Sequence, residues 1–250
     1  MTKLWMKATS AGVILALVLS FSPARGEPPP SAPEQSRQQE AKPSDHYFKP
    51  PVPDFPGGTV AGETRGTVKP TTPLPTIEII APDRHSGLTT SATPSLFFYV
   101  SRRVTDPTRL TIRAPMQPTP VLEANILPPP AAAIYAIRLT DYRVRLEPGI
   151  VYTWSVSVIR NPNAPARDIV ASASLVRVPI DPNLDATVRA APASGRAVLL
   201  ANAGLWYDAV AAAADLNQRA VLNVLMNEVG LVEPARYDLQ TPGGVLSSRP

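Results

Sequence analysis

The chain contains no cysteine and only two histidines among 250 residues. The first absence excludes a disulfide framework, a thiol nucleophile and any Cys-based zinc or iron–sulfur site. The second leaves little material for a histidine-built metal centre. Aromatic residues are scarce at 6%, and no apolar run reaches the roughly 20 residues that a membrane-spanning helix needs. Glycine-rich phosphate loops and calcium-loop spacing are absent as well. What is abundant is proline, at 31 residues. A formal charge of +4 raises the possibility of an anionic partner.

The N-terminus carries two lysines, then the apolar run Ala11–Phe21, then Ser22-Pro23-Ala24-Arg25-Gly26. This three-part layout predicts a secretory signal peptide over residues 1–26, cleaved after Gly26 or after Ala24. The expected location is therefore the periplasm or the exterior, with no span left in the mature protein. Removing Lys3, Lys7 and Arg25 takes the charge of residues 27–250 down to +1. Export and this small charge argue against nucleic acid as a partner.

Residues 27–75 are expected to be a disordered, proline-rich leader, because they offer little branched aliphatic surface to offset ordering. Its only aromatic spots are His46-Tyr47-Phe48 and Asp54-Phe55-Pro56, which could dock in a groove as a recognition peptide. From Thr76 the pattern becomes short strands with period-2 alternation. Candidate strands are Thr76–Ala81, Ser95–Ser101, Arg109–Arg113, Pro120–Ile126, Ala133–Thr140, Val151–Arg160 and Asp168–Val178. Seven strands over residues 76–180 predict an antiparallel β-sandwich of immunoglobulin or fibronectin-III type. A Pro148-Gly149 turn just before Tyr152 matches a tyrosine corner, which makes Tyr152 structural and Trp154 the core aromatic beside it.

The period then changes to 3.6, so the fold class is α+β, with a small helical appendage over residues 181–236. Asp181-Pro182-Asn183 supplies helix-start chemistry; Gly204, Asn217-Gln218 and Gly230 are expected breaks. The stretch Ala201–Leu216 is similar to one helix pair of a tetratricopeptide repeat, but a lone repeat cannot bury its own face. These helices are therefore expected to pack on the sandwich or on each other. If not buried, Leu205, Trp206 and Tyr207 are the expected partner-contact surface. Residues 237–250 read as a disordered tail.

The order of several motifs resembles the domain-of-unknown-function 928 family (DUF928) of secreted bacterial proteins. The stretches are Ser86–Pro94, Pro148-Gly149 with Tyr152-Thr153-Trp154, Arg160–Asn163 with Arg167-Asp168-Ile169, and Ala203–Ala209. Members often carry a cysteine in the strand ending near Arg160; this chain has none, so any role of that thiol is missing here. The resemblance implies architecture and export but no chemistry.

Three functional classes remain. The expectation is an exported, non-enzymatic binding or assembly module of the bacterial cell envelope, with another envelope or secreted protein as partner and no cofactor or metal. A secreted hydrolase would centre on His85, with Asp83 and Ser91 or Ser95 nearby, and would require His85 in a concave pocket within hydrogen-bond reach of a Ser and an Asp rather than on a convex loop. A polysaccharide binder would use Arg102, Arg103, Arg138, Arg143 and Arg145, and requires those arginines to converge on one face. Asp83, Asp106 and Asp168 are conceivable calcium ligands without the expected spacing.

Overall fold

In β8 (Val151–Val158) the side chains of Tyr152, Trp154, Val156 and Val158 are buried while Thr153 is exposed. The alternation places one dry face against the core, as an antiparallel sheet packed on one side demands. The same rule orders β9 (Ile169–Arg177), where Ile169, Ala171, Ala173 and Leu175 point inward. The computed structural model describes residues 47–50, 59–60 and 73–239. The expected signal peptide, most of the leader and residues 240–250 of the tail lie outside the described residues.

The remaining strands are β1 (Thr59–Val60), β2 (Ile77–Ile79), β3 (Gly87–Thr89), β4 (Ser95–Val100), β5 (Thr108–Arg113), β6 (Leu122–Ile126) and β7 (Ala133–Arg138). They form two sheets. The larger has the order β1-β9-β8-β5-β6, with β3 also on β9; the smaller is β2-β4-β7. All pairings are antiparallel except β3 on β9. Strand β4 is buried from Leu96 through Val100, so both of its faces are covered. Its run Leu-Phe-Phe-Tyr-Val therefore lacks polar alternation. On one side Tyr237, beyond the last helix, packs against Tyr99 with ring centroids 4.7 Å apart.

Four helices follow: α1 (Pro182–Ala190), α2 (Ala193–Asn202), α3 (Trp206–Asp215) and α4 (Arg219–Glu228). Asp181 starts α1 by accepting from the backbone N–H groups of Asn183 and Leu184, with Pro182 at the first helical position. This is N-cap chemistry. Helix α2 ends in a Schellman arrangement: Gly204 N–H donates to Ala201 O and Leu205 N–H to Leu200 O. Gly204 has φ +76°, a left-handed value that a Cβ would penalise. The same pair of bonds closes α3 around Asn217 and α4 around Gly230. The expected breaks are thus three repeats of one C-cap.

Two expectations need correction. Residues 27–75 were expected to be a leader without fold, yet Phe48 is buried in the core and Thr59–Val60 pairs with Ser172 and Ala173 of β9. Average composition hides this, because one aromatic and two ladder residues suffice where a groove and a sheet edge await them. The disordered tail was placed from Tyr237, yet Ile134 N–H donates to Asp238 O at 3.3 Å, and Leu239 forms a parallel bridge with Ile134. An ion pair between Arg219 and Asp238 fixes the same stretch.

Candidate functional site

Tyr47, Phe48 and Lys49 form a short extended stretch whose three successive backbone N–H groups all find acceptors. Tyr47 and Phe48 donate to the two carboxylate oxygens of Glu228 at 2.6 and 2.8 Å. Lys49 donates to Ala201 O at 3.2 Å. Bonds to an ionised acceptor are shorter and stronger than neutral ones. The Phe48 ring stacks on His85 (5.7 Å, 21°) and meets Trp206 edge-on (5.0 Å, 79°). Both are favoured aromatic geometries.

A second leader contact reaches the same loop. Thr59 Oγ1 donates to Pro82 O at 2.8 Å, and Thr59 N–H to Asp83 O at 3.4 Å. The loop between β2 and β3 is therefore held by Phe48 at His85 and by Thr59 at Pro82-Asp83. A cleft of about 530 Å³ lies here, lined among others by Phe48, Pro82, Arg84, His85, Glu228 and Gly230.

His85 is only 7% exposed, and the Phe48 ring covers one of its faces. It does line a concave site. Its Nδ1 lies 3.1 Å from Ser86 O, while Asp83 forms a loose pair with Arg84 at 3.8 Å. Asp168, another acid weighed as a cation ligand, accepts from the backbone N–H of Arg160 at 3.1 Å. Among the described residues no group of three or more His, Asp or Glu side chains is placed to hold a metal.

The condition under which Leu205, Trp206 and Tyr207 were expected to form a partner-contact surface, exposure, is not met. All three are buried, because α3 lies against β3 and β4 with this face inward. Trp206 Nε1–H donates to Ile80 O at 2.9 Å, and Trp154 Nε1–H donates to Tyr207 Oη at 2.9 Å. Burial pushes the Tyr207 phenol well above its ordinary pKa. Tyr207 also passes so close to β3 that a Cβ on Gly87 would sit 2.6 Å from its Cε2. One residue further, the Asp208 carboxylate accepts from Thr89 Oγ1 (2.6 Å), Thr90 N–H (2.7 Å) and Thr90 Oγ1 (2.8 Å). Tyr152 is buried, and its hydroxyl accepts from Glu147 N–H at 3.0 Å.

The arginines do not converge. Arg102 and Arg103 follow the end of β4, whereas Arg138 pairs with Ser95 at its beginning, and Arg143 and Arg145 continue from Arg138. At about 3.4 Å per residue the two groups are roughly 20 Å apart along the smaller sheet. Arg102 itself donates to Pro73 O at 3.1 Å.

The Gly87-Leu88-Thr89-Thr90 and Trp206-Tyr207-Asp208 stretches thus meet in space as one contact between sandwich and helices. Residues 60–233 match the family described as Domain of Unknown Function (DUF928). The chain belongs to the DUF928 family. No curated protein matches the chain, and no solved structure does. The family match begins beyond Phe48, so the leader contact at Glu228 is not part of what defines this DUF928 member.

Proposed function

We propose that this DUF928 protein is an exported, non-enzymatic binding or assembly module of the bacterial cell envelope. The observation that carries the reading is the seat at Glu228, where an extended segment is held through consecutive backbone N–H groups and one aromatic ring. That is how proteins recognise peptides independently of most side chains. The three-part pattern of residues 1–26 supports export. Among the described residues no helix is long and apolar enough to cross a membrane. The sandwich is read as immunoglobulin-like: a β9-β8-β5-β6 sheet faces a β2-β4-β7 sheet, and the early strand β3 runs parallel to the last one. The Tyr152–Glu147 bond at the start of β8 supports the same assignment.

The test is fractionation of the full chain, tagged at its C-terminus, in a bacterial host. The expected product starts at Glu27 or Arg25, resides in the envelope fraction, and retains a specific protein partner after washing in salt. Uncleaved chain confined to the cytosol would sink the export reading. An exported chain that turns over ester, glycoside or peptide substrates, and loses the activity in His85→Ala, would replace the binding module with a hydrolase.

A further inference from the structure

Glu78 is the one acid within the strands of the smaller sheet. It stands directly opposite Tyr99 of β4, so the two side chains share a face, while Ile77 and Ile79 turn to the core. Tyr237 packs on Tyr99, and Glu233 comes with it, just before the short turn Pro234–Arg236. Glu78 is partly buried, yet its carboxylate makes no hydrogen bond or ion pair with any described residue. Burial, and then the like charge of Glu233, raise its pKa. Tyr99 is fully buried, and its Oη has no hydrogen-bond partner, Tyr237 standing beside it without reaching bonding geometry. After burial and Tyr237, the charges of Glu233 and Glu78 push this phenol further above its ordinary pKa, so both carboxylates lie in its field. The neighbouring cation, Arg236, donates only to Glu233 Oε2, at 3.2 Å and in an exposed setting. A buried polar atom without a partner calls for a water or an ion to satisfy it.

We propose that Glu78 and Glu233, with the Tyr99 phenol oxygen beside them, form a site for a hard divalent cation, calcium before magnesium, that ties the smaller sheet to the chain following α4. The inference does not rest on the envelope-module reading. Carboxylate and phenol oxygens are the hard ligands such an ion takes. Its charge replaces the repulsion between the two acids by a shared attraction, and Tyr99 Oη gains the ion or one of its waters as partner. Two carboxylates are few, so water completes the shell and the affinity is weak, about 0.1–1 mM, as in extracellular calcium modules. Calcium tolerates such an irregular shell, whereas magnesium demands a near-ideal octahedron. Protons compete for the same carboxylates, so acid weakens the binding.

The test titrates the full-length, chelator-stripped protein with terbium(III), which takes calcium's oxygen ligands and luminesces when a tyrosine beside it is excited. Wild type should show saturable emission that calcium displaces. Glu78→Gln and Glu233→Gln, each of which removes one of the two charges, should bind about tenfold more weakly or worse. Asp106→Asn should bind as wild type does. Calcium at ten times its Kd should raise the wild-type melting temperature by about 3–5 °C and leave both glutamine variants unmoved. Either glutamine variant suffices if the other does not fold. Equal saturation of wild type and the glutamine variants would place the ion elsewhere and overturn the site. Wild type with neither saturable emission nor a calcium-dependent melt would overturn it too, leaving a water as the partner of Tyr99. A magnesium shift as large as that of calcium would overturn the choice of ion.

Discussion

Trp154 and Tyr207 share one hydrogen bond, 2.9 Å from indole Nε1–H to phenol oxygen, that ties the centre of β8 to the first turn of α3. Both side chains are fully buried or nearly so. Each has one polar atom that would otherwise be stranded in the core, and each satisfies the other's. Tyr207→Phe should therefore cost about 1–3 kcal/mol, the penalty of leaving a buried donor without an acceptor. Urea unfolding of the variant checks this. A midpoint equal to wild type would mean that the indole N–H finds another acceptor.

Gly87 and Gly195 should respond to alanine with opposite signs. At Gly87 the new methyl group meets the Tyr207 ring at 2.6 Å, and that ring is held by Trp154, so overpacking of about 1–3 kcal/mol is expected. At Gly195, inside α2, a Cβ meets nothing within 4 Å. Alanine there should stabilise by about 0.5–1 kcal/mol through helix propensity. Thermal melts of the two variants should move in opposite directions. Loss of stability in both would show that α2 is constrained from outside.

Asp208→Asn should destabilise by about 2–3 kcal/mol even though the shape is nearly unchanged. The carboxylate accepts three bonds from Thr89 and Thr90. An amide keeps one acceptor oxygen and turns an N–H₂ group toward donors. The substitution also removes a negative charge from the first turn of α3, where the helix dipole favours it. Denaturant curves measure the cost, and a loss below 0.5 kcal/mol would show that the threonines re-pair without it.

Glu78 predicts a pH dependence with a definite sign. Burial, and then repulsion from Glu233, raise its pKa above the ordinary 4.5. A carboxyl raised in the folded state contributes stability fully below the unfolded value and loses that contribution as pH rises through the folded value. Glu78→Gln mimics the protonated form, so at pH 7 it should melt higher than wild type, with the gap closing below about pH 4.5. A constant gap across pH would assign the effect to packing instead.

The long strands and the helix ends were legible because each follows a local rule. Alternation at Tyr152-Trp154-Val156 marks a half-buried strand, and Asp181-Pro182, Gly204 and Gly230 mark helix boundaries. Strand β3 was missed because Gly87-Leu88-Thr89 is buried throughout and has neither alternation nor length. Phe48 carried a visible signal as an aromatic in a polar segment, but nothing local to it announces Glu228, 180 residues away. Trp206 and Tyr207 were assigned to one apolar helix face, but whether that face is buried, and against what, was left open. The acceptor for Trp206 lies 126 residues away at Ile80 and the donor to Tyr207 lies 53 residues away at Trp154, so helical spacing could not reveal either. The arginines misled for a related reason. Arg102 follows the end of β4 and Arg138 ends its neighbour β7, and antiparallel pairing sends the two to opposite ends of the sheet.

Strand β9 owes its edge to two visitors of opposite direction, β1 at Ser172-Ala173 and β3 at Leu175–Arg177. Only β3 lies well inside the stretch that defines the family. A fragment trimmed to residues 60–233 would keep the recognisable domain, yet it would bare half of that edge and empty the Phe48 pocket beside it. Exposed strand edges next to apolar surface template aggregation. Phe48 and Thr59–Val60 cover apolar and edge surface of the fold, and expression boundaries drawn from family membership alone would remove that cover.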